Sequence, residues 1–215
     1  MAKKILSKKE FQYQNQKMAI KMSLNKALQN DALKLFSNAD KYRWVHQTTW
    51  MGEPVLNLPQ DMFAIQEIVY NTKPEYIIEV GQAWGGGLLF YASLLELYGG
   101  KKVIGVDIFI PQDLKKRLNT KKKIKNKISY INGDSTSPEV LEKIKKLTKN
   151  SKKVMVILDS NHTHDHVLKE LNLYSPLVRK GNYIICCDTI VEFIPKQIHS
   201  FYLFYLDFFE YNFLL

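Results

Sequence analysis

Acidic side chains recur where strand-like runs of this sequence give out: Glu79, ahead of Val80-Gly81, then Asp107, Asp134, Asp159 and Asp188. Aspartate is common in turns, so one or two such positions would mean little. Five along one edge of a sheet make a candidate site. Asp159 and Asp188 end adjacent runs and can share one divalent cation, and oxygen donors with open positions suit Mg²⁺. The segment Asp159-Ser160-Asn161-His162-Thr163-His164-Asp165-His166 adds three of the chain's five histidines. His162, three residues past Asp159 and still in the loop, is the expected general base, with His164 in reserve. His166 should already lie on the next helix, capped by Thr163 or Asp165.

The first of these turns, Glu79-Val80-Gly81-Gln82-Ala83-Trp84-Gly85-Gly86-Gly87, reads E-x-G-x-x-x-G. It lacks the G-x-G-x-x-G spacing that seats a pyrophosphate on a helix N-terminus. A looser turn suits a ligand without phosphate, approached by backbone on one side. Asp107, 20 residues past Gly87, is placed to accept hydrogen bonds from two ribose hydroxyls. Asp134, in Gly133-Asp134-Ser135, could accept from an adenine amino group. Ribose, adenine and a cationic centre without phosphate describe S-adenosylmethionine. The expected cofactor contacts are Glu79, Gly81, Gln82, Gly85, Gly86, Asp107, Asp134 and Ser135. The plainer alternative is an ordinary glycine-rich turn between a strand and a helix.

These residues need a frame that brings them to one edge. From residue 76 onward the sequence alternates β-rich runs, at 76–80, 102–107, 128–131, 154–158 and 183–187, with helical stretches near 86–98, 111–118, 137–147 and 165–177. Continuous apolar runs such as VMVIL and YIICC mark strands buried on both faces. The alternation predicts an α/β fold, a doubly wound, mostly parallel sheet with helices on both sides, Rossmann-like, with its ligand at the carboxyl ends of the strands. Residues 8–37 contain neither Pro nor Gly and read as helical, 44–58 reads as loop, and Pro59-Gln60-Asp61 opens a helix over 62–71. The expected division is an N-terminal helical extension and loop, 1–58, followed by a cofactor-binding domain, 59–215.

Composition narrows the class. Of the 215 residues, 46% are hydrophobic and 24% charged, the balance of a globular protein. The longest uncharged apolar stretch near the end, 197–206, is ten residues, half of what a spanning helix needs. The basic start, residues 1–9, has no apolar run behind it, so no signal peptide is expected. Adjacent Cys186 and Cys187 suggest a reducing cytoplasm. The net charge of +10 invites a nucleic-acid reading, and residues 114–128 carry eight basic side chains and no acid. Those runs lack interleaved aromatics for base stacking, so a solvated lysine face is the better reading and nucleic acid an unfavoured partner.

Glu79-Val80-Gly81 with Gly85-Gly86-Gly87, Gly105-Val106-Asp107-Ile108, Gly133-Asp134-Ser135-Thr136, Leu158-Asp159-Ser160-Asn161-His162-Thr163-His164 and Asp188-Thr189 resemble the cephalosporin hydroxylase / rhamnosyl O-methyltransferase family. Trp50-Met51-Gly52-Glu53-Pro54 and Leu58-Pro59-Gln60-Asp61 extend the likeness, which covers about residues 42–195. The resemblance implies a class I methyltransferase fold and metal-assisted methylation of a hydroxyl on a saccharide or secondary metabolite. A hydroxyl is too weak an acid to attack a sulfonium methyl unaided. A bound cation lowers its pKa and an imidazole takes the proton.

The sequence departs from that pattern in two places. Cys187 stands before Asp188 where metal-dependent relatives tend to place a second oxygen ligand, and a thiolate suits Mg²⁺ poorly, so Cys187 reads as sheet core. Residues 201–215 pack eight of the 26 aromatics into 15 positions and do not resemble the family's end. That tail is expected to complete the sheet poorly and to favour self-association into a homo-oligomer. The alternatives are a cofactor-binding remnant without turnover and, behind it, a nucleic-acid-binding protein.

Overall fold

The computed structural model describes residues 5–193. They divide between two compact units, one holding the N-terminal helices and the other spanning Arg43–Glu192.

In the first unit, α1 (Lys8–Ser23) and α2 (Lys26–Asp40) replace the single helical stretch expected over 8–37. The break has a local cause. The Asn25 side chain accepts a hydrogen bond from the Leu28 amide at 3.1 Å and so caps a new helix. A capping box, Ser7 with Glu10, starts α1.

The second unit opens with a hairpin that reads as loop in the sequence, β1 (Thr48–Trp50) and β2 (Glu53–Val55). Its two-residue turn places Met51 and Gly52 both at positive φ, which matches the twist of paired strands. Strands of three residues are too short to show an alternating pattern in the sequence. The hairpin is stapled to the body of this unit: Trp50 Nε1 donates to Ser93 Oγ at 3.2 Å, and Arg117 pairs with Glu53 at 3.3 Å. Residues 43–58 are thus grouped with the sheet rather than with the preceding helices.

After α3 (Pro59–Thr72) the chain alternates: β3 (Tyr76–Val80), α4 (Gly86–Tyr98), β4 (Lys102–Asp107), α5 (Leu114–Asn119), β5 (Ile128–Asn132), α6 (Pro138–Thr148), β6 (Val154–Leu158), α7 (His164–Tyr174) and β7 (Ile184–Cys186). The five strands β3 to β7 form one parallel sheet in the order β5-β4-β3-β6-β7. Alternate residues of each strand face opposite layers. Ile77, Val103, Met155 and Ile157 pack with α3, α4 and α5; Ile78, Ile104, Val154 and Val156 pack with α6 and α7. β3 and β6 are buried along their whole length, as continuous apolar runs require.

The order runs outward from β3 in one direction, then reverses to β6 and β7. The switch point therefore lies between the carboxyl ends of β3 and β6, where open α/β sheets bind ligands. Register levels the turns there. Val80 stands opposite both Val106 and Leu158, and Leu158 opposite Cys186, so Gly81, Asp107, Asp159 and Cys187 emerge side by side.

Part of the basic run is absorbed by structure: Lys121 donates to the Met51 carbonyl, and Lys127 pairs with Glu96 at 3.2 Å. Among the described residues no helix is long and apolar enough to cross a membrane. The expectations for residues 201–215 fall outside the described residues.

Candidate active site

The turn after β3 is built by close approach. Gly81 has φ +86, and a Cβ there would collide with the Asp159 carbonyl, so only glycine lets the β3 and β6 ends touch. A Cβ at Gly87 would collide with the Glu79 carboxylate, which lies against the start of α4. Gly85, at φ +81, is the N-cap of α4, and Gly86 its first residue. Glu79 is 4% exposed, and its Oε2 meets no hydrogen-bond partner among the described residues. Gln82 is likewise buried, and neither atom of its side-chain amide meets a partner among them. Buried polar groups left in this state are costly. Burial, then Asp159 and Asp107, raise the Glu79 carboxyl well above its ordinary pKa.

Asp107 does local work first. Its Oδ2 accepts from the amides of Gln82 at 3.0 Å and Ala83 at 3.2 Å, and its Oδ1 from Phe109 at 3.0 Å. A carboxylate has about four lone-pair positions, so these amides fill most of what the sequence reading assigns to ribose. Asp134 also serves its own turn: Oδ1 accepts from the Thr136 amide at 2.8 Å and hydroxyl at 2.9 Å. Those bonds lower its pKa. Ser135 is buried, and its hydroxyl donates to Glu170 at 2.6 Å. Asp134 Oδ1 and the Ser135 hydroxyl thus each meet a protein partner.

On the other side, Asp159, His162 and Asp188 converge. A ligand atom from each lies within 4.8 Å of the others, and His162 Nε2 is 3.5 Å from Asp188 Oδ2. Sequence separation gives no hint of a fourth participant, Asn57, whose Nδ2 donates to Asp159 Oδ2 at 2.9 Å. Burial, then the Asp188 charge, push the Asp159 carboxyl up to about 7, with Asn57 opposing. Burial lowers the His162 pKa against the pull of Asp188 and Glu170, which keeps the imidazole neutral near pH 7. Asp188 holds a left-handed backbone, φ +55.

His164 is not brought to this cluster. It is 84% exposed and bonds Asp165 at 3.0 Å. The Cys187 thiol is raised in pKa by burial and by Asp159 and Asp188, and it packs against the core. Tyr91 of α4, 2% exposed, is a further neighbour that spacing does not reveal; burial, then Glu79, Cys187 and Asp159, hold its hydroxyl protonated. A cavity of about 740 Å³ lined by Thr72, Lys152, Lys153, Arg179 and Lys180 sits at the amino edge of the sheet and shares no residue with this cluster.

A family model described as Rhamnosyl O-methyltransferase/CmcI matches residues 42–203. The rhamnosyl O-methyltransferase of Mycobacterium leprae (strain TN) is 35% identical over 144 residues, 66% of this chain and 60% of that protein. That of Mycobacterium bovis (strain BCG / Pasteur 1173P2) is 30% identical over 151 residues, 69% of this chain and 60% of that protein. The chain therefore spans about 60% of the length of these curated relatives. Among solved structures, an apo structure of CmcI aligns with TM-score 0.51 at 21% identity, over 76% of this chain and 66% of that chain. A Staphylococcus aureus protein described as a candidate caffeoyl-CoA O-methyltransferase aligns with TM-score 0.52 at 16% identity, over 93% and 89%. The structural likenesses establish the fold.

Proposed function

Because this chain belongs to the Rhamnosyl O-methyltransferase/CmcI family, we propose that it is an S-adenosylmethionine-dependent, Mg²⁺-assisted O-methyltransferase acting on a hydroxyl of a saccharide or related secondary metabolite. The observation that carries the reading is the Asp159–His162–Asp188 cluster at the switch point, beside a glycine turn with unpartnered buried polar groups. The donor set suits both groups. Two carboxylates and an imidazole within 4.8 Å fit a divalent cation with positions left open. Glu79 Oε2 and the Gln82 amide fit the polar, cationic end of the cofactor.

When bound, the cofactor supplies an electrophilic methyl and the cation lowers the pKa of the hydroxyl it meets. Asp159 and Asp188 would hold the cation, with Asn57 orienting Asp159. His162, neutral near pH 7, takes the acceptor's proton at Nε2. Glu79, Gly81, Gln82, Gly85 and Gly86 bound the cofactor's methionine side, while Asp107 holds that turn in shape and offers its remaining lone pair to ribose. The 4.8 Å spacing also supports an alternative role for His162, as the third ligand of the cation in place of the base.

Calorimetry with S-adenosylmethionine, then cofactor turnover against a panel of sugars with Mg²⁺ or excess chelator, tests the reading. Cofactor binding with chelator-sensitive turnover is expected. Absence of cofactor binding would refute the methyltransferase reading, and full turnover in chelator would refute the metal's part. If His162 is a ligand, His162→Ala weakens Mg²⁺ binding as well as turnover; if it is only the base, Mg²⁺ binding stays.

A further inference from the structure

Helix α7 carries His166, Glu170 and Tyr174 four residues apart, a spacing that aligns them on one face. Glu170 is fully buried, and three partners meet its Oε1: Ser135 Oγ donates at 2.6 Å, Ser160 Oγ donates at 2.7 Å, and His166 Nε2 lies at 3.0 Å. Tyr174, also fully buried, donates its hydroxyl to the Ser135 carbonyl at 2.9 Å. Ser135 belongs to the turn after β5 and Ser160 to the loop after β6. Two strands, β4 and β3, separate β5 from β6 in the sheet, so no ladder joins these loops. A single carboxylate oxygen does.

Packing alone does not call for this arrangement. A leucine would fill the space without burying a polar group, and a buried polar group is costly unless its partners are met. What the carboxylate adds is a fixed distance between two loops. Ser160 directly follows Asp159 and stands two residues before His162; Ser135 directly follows Asp134. Outer partners of this kind set the geometry of the groups that touch ligand.

We propose that Glu170 is a positioning residue that couples the turn after β5 to the loop after β6, so that a nucleoside ligand on one side and a divalent cation on the other strengthen each other's binding. The coupling of the loops stands on the hydrogen bonds; the identity of the two ligands rests on the methyltransferase reading. Coupling is reciprocal: the cation raises cofactor affinity by the same factor as the cofactor raises that of the cation.

Amide hydrogen exchange on the ligand-free full chain tests the bridge. Glu170→Leu should speed exchange about tenfold in both 133–136 and 159–163 while β3 and β4 keep their protection. Acceleration in one loop alone, in neither, or across β3 and β4 as well would overturn the bridge. Should Glu170→Leu fail to fold, Ser135→Ala and Ser160→Ala carry the test. Each should loosen the opposite loop, and Ser160→Thr, which keeps the hydroxyl, should restore the parent rates; unchanged exchange in the opposite loop overturns the proposal. Calorimetry then reads the ligands. S-adenosylmethionine should bind about fivefold more tightly with Mg²⁺ than without, and Glu170→Leu should abolish that difference. A parent that binds both ligands without mutual effect overturns the coupling. A parent that binds neither refutes the methyltransferase reading, and the exchange result still decides the bridge.

Discussion

The two halves of the sheet's carboxyl edge treat their acids in opposite ways. On the β4–β5 half, Asp107 and Asp134 are surrounded by donors: five hydrogen bonds from nearby amides and one hydroxyl close the turns around them. On the β3–β6–β7 half, Glu79 is buried beside Asp159 and Asp107, Asp159 is half-buried beside Asp188, and both are held above their ordinary pKa. An acid that satisfies backbone donors explains itself by local structure. An acid kept in an unfavourable setting marks a place where something else is to bind. By that measure the proposed chemistry belongs at the switch point, and the other half supplies its frame.

The largest effect should come from the unfavourable half. His162→Ala should lower turnover by roughly 10²–10⁴-fold and leave cofactor affinity, measured by calorimetry, nearly unchanged. A comparable loss of cofactor affinity would mean that His162 supports the cleft rather than acting in it.

Asp159→Asn should do two things at once. Divalent-cation binding should be lost by calorimetry, and the metal-free protein should gain stability above neutral pH. The sign follows from linkage: a carboxyl whose folded pKa, about 7, exceeds its unfolded value binds more protons folded than unfolded between those values. Stability therefore falls as pH rises from about 4 to 7. Removing the group recovers at most ~4 kcal/mol at pH 8, readable as a shift in urea midpoint. A variant less stable than the parent at pH 8 would contradict the burial argument. The same titration makes Mg²⁺ binding strengthen as pH rises through about 7, because the ligand must lose its proton first.

Asp107→Ala should act through the turn. Each hydrogen bond lost costs about 0.5–1.5 kcal/mol, so thermal melting should show a moderate loss together with weaker cofactor binding. Unaltered cofactor affinity would remove this residue from the site. Asp134→Ala should be the mildest, ~1 kcal/mol or less of stability with a modest weakening of cofactor binding. Unaltered cofactor affinity would place the nucleoside away from the turn after β5.

Much of the frame was legible. The runs at 76–80, 102–107, 128–131 and 154–158 all become strands; the central ones are buried on both faces and so mostly apolar, while the edge run at 128–131 is only partly buried. The last run, 183–187, exceeds its strand by one residue at each end, since β7 covers only Ile184–Cys186. The hairpin at 48–55 escaped, being too short for a period to appear. Within the site, the sequence pointed to Asp159, His162 and Asp188 together, and they do meet. It held His164 in reserve and pointed to Asp134 and Ser135 for the cofactor; His164 is exposed beside Asp165, while Asp134 Oδ1 and the Ser135 hydroxyl bond protein groups.

The order of types along the chain determined the α/β alternation, the parallel sheet and the placing of acids at strand ends, since these follow from local burial and from turns that need glycine or aspartate. Which acids would be satisfied and which left costly was decided only by tertiary structure. Asn57 reaches Asp159 across 102 residues and Glu170 reaches Ser135 across 35, and such pairings depend on strand order and helix packing. Periodicity reports which face of an element is buried, and it carries no information about which distant side chain that face will meet.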